Sequence, residues 1–105
     1  MTAPWLIGLD VDGTILLQDE TMSPGVPEAV ARLRDAGHEV TIATGRSWMA
    51  TRRYVEELGL TPEFVVCSNG AVTMRMVDGE WTRWNVETFD PSPVLALLQD
   101  RLPEA

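Results

Sequence analysis

The chain has 105 residues, of which 45% are hydrophobic and 23% are charged, a composition typical of one ordinary globular domain. Its 16 acidic residues against 8 basic ones give a net charge of −8. This balance argues against nucleic acid and anionic membranes as partners, because binding to either requires clusters of lysine and arginine. An acidic surface also repels phosphorylated ligands, so a phosphate site in this chain would favour a metal cation.

Cysteine content and hydropathy bear on the compartment. Cys67 is the only cysteine, so no disulfide forms within the chain, and its apolar surroundings predict a small buried side chain. No basic-then-apolar segment opens the sequence, and no apolar run reaches the ~18 residues of a membrane span. We therefore expect a soluble protein of the cytoplasm.

The first half of the chain alternates the signals of strands and helices, which is the pattern of a parallel α/β sheet. Ser23 is predicted to be a helix N-cap, because Pro24, a residue type favoured at the first helical position, follows it. Glycines are expected to end both helices. The predicted elements are a strand at residues 5–9, a helix from Pro24 to Gly37, a strand at residues 39–43, a helix at residues 47–58 and a strand over Phe64–Cys67.

After the third strand, the predicted pattern changes to a hairpin. Asn-Gly and Asp-Gly pairs, which favour tight turns between antiparallel strands, stand at residues 69–70 and 78–79. A Pro-containing segment then precedes a short amphipathic stretch. The predicted elements are short antiparallel strands over Val72–Val77 and Glu80–Val86 and a helix at residues 94–98.

Polar residues follow each of the three predicted parallel strands. In open parallel sheets, ligands bind at the carboxyl ends of the strands, so these residues are expected to converge on one site. They are Asp10, Asp12, Gly13 and Thr14 after the first strand, Thr44, Gly45 and Arg46 after the second, and Asn69 after the third.

Asp10 and Asp12 carry the chemistry of the predicted site. Asp10 ends the strand that would hold it rigidly, as a nucleophile requires, and Asp12 can reach the same space from the turn. Two neighbouring carboxylates repel each other, so one can hold a proton and act as a general acid and base. Carboxylates are also hard oxygen ligands for Mg²⁺. The alternative is an ordinary Asp-Gly turn.

The other two strand ends suit an anion. Thr44 offers a hydroxyl group, Gly45 lets backbone N–H groups approach an oxyanion, and Arg46 can bind a phosphate or a carboxylate through two N–H groups. The helix that begins near Ser47 would direct its positive end into the same space. Each feature has a structural alternative, namely a helix cap, a surface ion pair for Arg46 and a hairpin turn at Asn69.

Three segments resemble motifs of the haloacid dehalogenase (HAD) superfamily of phosphatases. The first motif is similar to Asp10-Val11-Asp12-Gly13-Thr14-Ile15, and the second to Ala43-Thr44-Gly45-Arg46. A stretch of the Cof-like branch is similar to Ser68-Asn69-Gly70-Ala71. That branch carries an α/β cap after the third strand. The resemblance thus implies a Rossmann-like partial HAD core of three parallel strands in residues 1–70, and a hairpin with the start of the cap in residues 71–105.

The resemblance also assigns roles. Asp10 would attack phosphorus and form an aspartyl-phosphate, and Asp12 would protonate the leaving group and then activate water. Mg²⁺ would be bound by the Asp10 carboxylate and the Asp12 backbone carbonyl, and residues 16–22 would form a flap over the site. The implied function is Mg²⁺-dependent hydrolysis of a small phosphorylated metabolite, such as a sugar phosphate. The residues that would contact phosphate or substrate are Gly13, Thr14, Thr44, Gly45, Arg46 and Asn69.

Two motifs of the superfamily are missing. The third is a lysine or arginine that stabilises the phospho-enzyme, and the fourth is an acidic pair that completes the metal site. No segment after Leu60 fits either, and the chain contains no lysine. We therefore expect the N-terminal portion of a longer phosphatase, with weak or absent turnover by itself and an exposed first strand that favours self-association. The alternatives are a sugar phosphomutase of the same superfamily and a non-catalytic module that binds Mg²⁺ and phosphate.

Overall fold

A computed structural model describes residues 3–104 of the chain. Its elements in chain order are β1 (Leu6–Leu9), α1 (Val26–Asp35), β2 (Glu39–Ile42), α2 (Trp48–Glu57), β3 (Phe64–Cys67), β4 (Val72–Val77), β5 (Glu80–Val86) and α3 (Ser92–Arg101). β1 and β2 form a parallel sheet, and β3, β4 and β5 form an antiparallel sheet in that order. The predicted α/β class, with a parallel sheet followed by a hairpin, is confirmed.

β3 connects the two sheets. It runs parallel to β2 at a single bridge between Ala43 and Val66, next to which the Thr44 N–H donates to the Val66 carbonyl (2.9 Å). The Thr41 hydroxyl donates to the Phe64 carbonyl (2.5 Å), so a hydrogen bond from a β2 side chain joins β2 to the first residue of β3. The predicted third strand is therefore parallel to β2 in direction, whereas its regular ladder is the antiparallel one with β4.

The first helix begins later than predicted. Its N-cap is Gly25, which adopts the left-handed conformation with φ 86°, and the proline of the first turn is Pro27. Ser23, the predicted N-cap, donates its backbone N–H to the Ile15 carbonyl (2.8 Å) and so belongs to the loop that follows β1. The prediction for Ser23 and Pro24 was wrong, because the chain stays in the loop after β1 until Gly25, whose left-handed conformation marks the start of the helix.

The start of α2 and the ends of α1 and α2 agree with the sequence. The N-cap of α2 is Ser47, whose hydroxyl oxygen accepts a hydrogen bond from the Ala50 N–H (3.3 Å). Gly37 and Gly59 follow the two helices with φ values of 91° and 62°, which glycine adopts without steric cost. The capping residues therefore set the start of α2 and the ends of both helices.

One hydrophobic core joins the parallel sheet, α1, α2 and β3. Cys67 is buried as predicted, and burial raises the pKa of its thiol. Thr51 is also buried and donates its hydroxyl to the Ser47 carbonyl (2.7 Å), so its polar side-chain atom has a hydrogen-bond partner inside the core. The loop after β1 is anchored in the core by three apolar side chains of its own, those of Val11, Ile15 and Leu16.

The two predicted hairpin turns differ. Asp78 and Gly79 both have positive φ values (50° and 82°), as a two-residue hairpin turn requires, and they connect β4 to β5 as predicted. Asn69 and Gly70 also have positive φ values (54° and 93°), and the Ala71 N–H donates to the Ser68 carbonyl (3.0 Å), so the predicted tight turn is present. Its loop is longer than two residues, because Cys67 and Val72 are the pair that flanks it and residues 68–71 lie between them.

α3 extends further than predicted and lies on the surface. None of its residues is buried, and the side chains of Leu95, Leu97 and Leu98 are each about half exposed. Within residues 3–104, no helix has the length and apolar character needed to cross a membrane.

Candidate active site

The turn that follows β1 sets the positions of both aspartates. The Val11 carbonyl accepts hydrogen bonds from three successive N–H groups, those of Thr14 (3.3 Å), Ile15 (3.1 Å) and Leu16 (3.0 Å). Gly13 permits this tight path because its φ is 75°, a conformation in which a side chain is strained. The burial of Val11 between them leaves the Asp10 and Asp12 side chains on the surface at the end of β1.

A concave site of about 420 Å³ lies at the carboxyl ends of the strands. The residues that line this site follow all three of the predicted parallel strands. Four residues that were predicted to belong to the site do not line it, namely Asp12, Gly13, Thr14 and Arg46. A larger cavity of about 570 Å³, beside α1 and the start of β2, contains none of the predicted site residues. The site is lined by Asp10, Ala43, Thr44, Gly45, Val66, Asn69 and Gly70.

The wall formed by Thr44 and Asn69 is held by hydrogen bonds between two loops. The Asn69 N–H donates to the Thr44 carbonyl (3.0 Å), and the Ser68 N–H donates to the Arg46 carbonyl (2.8 Å). Ser68 and Asn69 reach these partners only in the left-handed conformation, with φ values of 51° and 54°. These hydrogen bonds join the turn at residues 69–70 to the loop after β2, within a connection two residues longer than a two-residue hairpin loop.

Gly45 allows the Asn69 side chain to approach the second loop. A Cβ at position 45 would lie 2.9 Å from Asn69 Oδ1, closer than side-chain atoms normally come. The neighbouring Thr44 side chain is only 4% exposed, and its hydroxyl oxygen accepts a hydrogen bond from the Arg46 N–H (3.1 Å). Thr44 and Asn69 thus bring a hydroxyl and an amide to the wall beside Asp10.

Arg46 binds the second aspartate through both oxygens. Its Nε donates to Asp12 Oδ2 (2.9 Å) and its Nη2 to Asp12 Oδ1 (2.6 Å). The same Nη2 donates to Glu20 Oε1 (3.0 Å). These hydrogen bonds hold the pKa of Asp12 below its usual value and raise the pKa of Arg46. The ion-pair alternative considered for Arg46 is thus present, and one of its two partners, Asp12, is itself a predicted site residue.

The segment predicted to form the flap is a hairpin. Leu16 and Met22 form an antiparallel bridge, and the Leu17 N–H donates to the Thr21 carbonyl (2.8 Å) across the turn. Glu20 lies in this turn and was missed by the sequence reasoning. The only signal for it was a second acidic side chain, after Asp19, in a segment already expected to cover the site.

One predicted site residue, Thr14, has no side-chain partner in the site. The Thr14 side chain is exposed and forms no hydrogen bond among the described residues. The histidine of the chain, His38, accepts a hydrogen bond at Nδ1 from the Trp5 N–H (3.0 Å) at the other end of β1. Thr14 reaches the site only through its backbone turn, and His38 is remote from it.

The oxygen donors present fit Mg²⁺ in type but are few. Residues 3–104 contain no group of three or more histidine, cysteine or acidic side chains arranged to hold a metal ion. Both oxygens of Asp12 are bound to Arg46, which leaves the Asp10 carboxylate and backbone carbonyls as donors. Mg²⁺ commonly takes one or two carboxylates and completes its coordination with water and substrate phosphate. This donor set therefore suits a Mg²⁺ ion whose remaining ligands are water and a substrate phosphate.

These features define an α/β protein with a paired aspartate turn and a polar concave site at the carboxyl ends of its strands. The family model for haloacid dehalogenase-like hydrolases matches residues 7–100. The chain belongs to this family, as the resemblance of its motifs implied.

Two named phosphatases are similar to most of the chain. YitU of Bacillus subtilis, named a 5-amino-6-(5-phospho-D-ribitylamino)uracil phosphatase, is 39% identical over 99 residues, covering 94% of this chain and 36% of the relative. The pyridoxal phosphate phosphatase YbhA of Escherichia coli is 37% identical over 95 residues, covering 90% of this chain and 32% of the relative. The chain therefore spans about a third of the length of these curated relatives.

A solved structure agrees with the family. A haloacid dehalogenase-like hydrolase from B. subtilis superposes with a TM-score of 0.69 at 29% identity, over 94% of this chain and 33% of the other. The α/β fold described above is thus the fold of this family over the matched region.

Proposed function

We propose that this chain carries the nucleophile of a Mg²⁺-dependent phosphatase that hydrolyses small phosphorylated metabolites through an aspartyl-phosphate. The observation that carries the proposal is the position of Asp10 in the concave site, beside the Thr44 hydroxyl and the Asn69 amide. A rigid carboxylate facing hydrogen-bond donors is what in-line attack on a phosphoryl group requires. The names of the two relatives, both phosphatases of small phosphorylated compounds, support the same substrate class.

In the proposed first step, the Asp10 carboxylate attacks phosphorus and the bond from phosphorus to the leaving oxygen breaks. Thr44 and Asn69 would donate hydrogen bonds to the phosphoryl oxygens, with Gly13, Thr14 and Gly45 shaping the backbone around them. Mg²⁺, bound by the Asp10 carboxylate and the Asp12 backbone carbonyl, would supply charge neutralisation. Arg46 would orient the Asp12 carboxylate, to which it is bound, and would stabilise the phosphoryl group through any hydrogen bond that it donates to the substrate.

Asp12 would transfer protons in both steps. Its contact with Arg46 favours the ionised form, which is the form that accepts a proton from water when the aspartyl-phosphate is hydrolysed. An arriving phosphate monoester brings negative charge next to Asp12, which raises its pKa and favours the protonated form that the leaving group needs. Arrival and departure of the charged substrate would thus let the single Asp12 carboxylate act first as the acid and then as the base.

The experiment that tests the proposal is formation of a beryllofluoride adduct, an analogue of the aspartyl-phosphate, monitored by ¹⁹F NMR in the presence of Mg²⁺. We expect bound-fluoride signals for the wild-type chain and none for Asp10→Asn. Asp78→Asn, which changes an aspartate in the β4–β5 turn, is the matched control and should keep the signals. Equal signals with and without Asp10, or none in either protein, would contradict the proposal.

A non-catalytic module that binds Mg²⁺ and phosphate is the second candidate. It is favoured by the absence of lysine from the chain, a residue type that would stabilise a phospho-enzyme. This candidate predicts binding of Mg²⁺ and phosphate without a beryllofluoride adduct on Asp10, so the same experiment separates the two. No observation favours the sugar phosphomutase, which would use the same Asp10 and Asp12.

Self-association through β1 is part of the proposal. Within the described residues β1 pairs only with β2, so its other edge offers unpaired backbone groups to a second chain. Trp5 and Leu6 lie there with mostly exposed side chains. The cytoplasmic location stays a prediction from the sequence.

A further inference from the structure

We propose that Glu20 is a positioning residue that, through Arg46, locks the flap and the Asp12 carboxylate into one unit. Flap here means the hairpin formed by residues 16–22. Arg46 Nη2 lies 3.0 Å from Glu20 Oε1 and 2.6 Å from Asp12 Oδ1, so one nitrogen joins two loops. The inference rests on the proposed function only in taking Asp12 to be the proton-transfer group.

Arg46 is well suited to be the fixed member of this bridge. Its side chain is only 16% exposed and its guanidinium lies 5.6 Å from the centre of the Tyr54 ring, which favours a cation. Its backbone is held on both sides, since the N–H donates to Thr44 Oγ1 and the carbonyl accepts from the Ser68 N–H. A guanidinium held this way has little freedom to follow a mobile carboxylate, so the carboxylates must come to it.

Asp12 and Glu20 are the mobile members. Their side chains are 64% and 63% exposed, so packing alone does not choose their rotamers. The planar fork of Arg46 engages both oxygens of Asp12, which fixes the plane of that carboxylate as well as its position. Glu20 accepts a second hydrogen bond from the same Nη2 and thereby connects the flap to the Arg46 guanidinium.

The turn of the flap is built to present Glu20. Glu20 has a φ of 64°, an uncommon conformation for a residue with a side chain, which indicates a functional constraint when the surroundings maintain it. The neighbouring Asp19 is used locally, because its Oδ1 accepts from both the N–H and the hydroxyl of Thr21. Of the two adjacent acidic residues, one closes the turn and the other reaches across 26 positions of the sequence to Arg46.

Two substitutions separate the bridge from the turn. Glu20→Gln removes the charge and retains the length of the side chain. Glu20→Asn removes the charge and the reach while supplying a residue that tolerates positive φ, so the turn itself is preserved. Glu57→Gln, an exposed glutamate near the end of α2 with no hydrogen-bond partner among the described residues, is the matched control.

The test measures two exchange rates by NMR in the full 105-residue chain, without any requirement for turnover. We expect both Glu20 variants to accelerate water exchange of the Arg46 Nε–H and of the Leu17 amide by about threefold, the scale of a partly exposed ion pair. The Glu57→Gln control should leave both rates unchanged. Unchanged rates in the Glu20 variants would overturn the proposal, and so would acceleration confined to Leu17, since Glu20 would then act only in its turn.

The outcome is independent of the proposed phosphatase chemistry. The beryllofluoride adduct reports on Asp10, whereas the Arg46 Nε–H signal reports on the bridge. If the adduct did not form but the Glu20 variants accelerated exchange, the phosphatase proposal would be contradicted and the bridge supported. If the adduct formed but the Glu20 variants left the exchange rates unchanged, the bridge would be contradicted and the phosphatase proposal supported.

Discussion

The side-chain amide of Asn69 occupies the space that a side chain at position 45 would need. A Cβ on Gly45 would lie 2.9 Å from Asn69 Oδ1 and 3.3 Å from Asn69 Nδ2. Asn69 has little room to retreat, because its own N–H is bound to the Thr44 carbonyl. The glycine of the second motif therefore determines how closely the loops after β2 and β3 approach at the concave site.

Replacing this glycine should push the two loops apart. We expect Gly45→Ala to lower the free energy of unfolding by about 1–2 kcal/mol, the usual cost of an overpacked contact, and to displace Asn69 from the wall of the site. Urea unfolding measures the first effect and the Asn69 amide chemical shift the second. Gly8→Ala is the control, since its Cβ would meet Ala43 Cβ at an ordinary 3.6 Å. Equal stability changes in the two variants would contradict the steric argument.

Two serines that precede helices, Ser47 and Ser23, should differ in their contributions to stability. Ser47 accepts the Ala50 N–H at the start of α2, so Ser47→Ala should cost about 1 kcal/mol of unfolding free energy. Ser23 precedes α1 but is not its cap, because Gly25 occupies that position. Ser23→Ala should therefore be nearly neutral in the same thermal or urea measurement. A loss at Ser23 as large as that at Ser47 would show that both hydroxyl groups act as caps.

The Arg46–Asp12 pair predicts a specific pH dependence of stability. The pKa of Asp12 is lower in the folded chain than its usual value of 3.8, so the pair stabilises the chain fully above that value. The stabilisation is lost as the pH falls through the lowered pKa of Asp12. In metal-free buffer, the stability difference between wild type and Arg46→Met should shrink as the solution is acidified.

Urea unfolding at successive pH values, from about pH 7 to about pH 2, measures that difference. Methionine keeps part of the apolar stem that packs near Tyr54, so the difference reports mainly on the charge. Arg52→Met is the control, because it breaks an exposed pair with Glu56 (2.8 Å) on one helix, a type of pair that contributes little. A difference for Arg46→Met that stays constant over the whole range would refute the ion-pair explanation.

The edge of β1 should make the chain self-associate. We expect the sedimentation coefficient of the wild type to rise with concentration, and Leu6→Lys to reduce the effect because a lysine on an edge strand opposes strand pairing. Leu6 is 69% exposed, and Leu97 on α3, at 54%, provides a matched leucine away from the edge. If Leu97→Lys alone reduced association, the apolar surface of α3 would be responsible. A wild type that stays monomeric at all concentrations would contradict both explanations.

Much of the fold was predictable because its signals are local. The strand Phe64–Cys67 has the predicted bounds, as do β4 and β5, since their apolar residues and flanking glycines act within a few positions. The expected site also followed from a local rule, that polar residues at parallel strand ends converge, and Asp10, Thr44 and Asn69 do line one cavity. Family membership followed from the first two motifs and is confirmed over residues 7–100.

The differences concern where an element begins and how long a loop is. Ser23 offered a capping side chain, yet α1 begins only after Gly25, and the Ser23 N–H is bound to the Ile15 carbonyl. The Asn69-Gly70 turn forms, yet its loop includes two more residues, and the Asn69 N–H is bound to the Thr44 carbonyl. Such partners are brought near only after the sheet and helices have packed.

The sequence by itself determined the order of strands and helices, the paired aspartate turn and the family, because each depends on residues close together along the chain. Only the tertiary structure decided what Arg46 does. Its partners lie 34 and 26 positions away, at Asp12 and Glu20, and no pattern in the sequence joins the three. The parallel pairing of β1 with β2 brings the loops that follow these strands together, and so places the three charged side chains within hydrogen-bond distance.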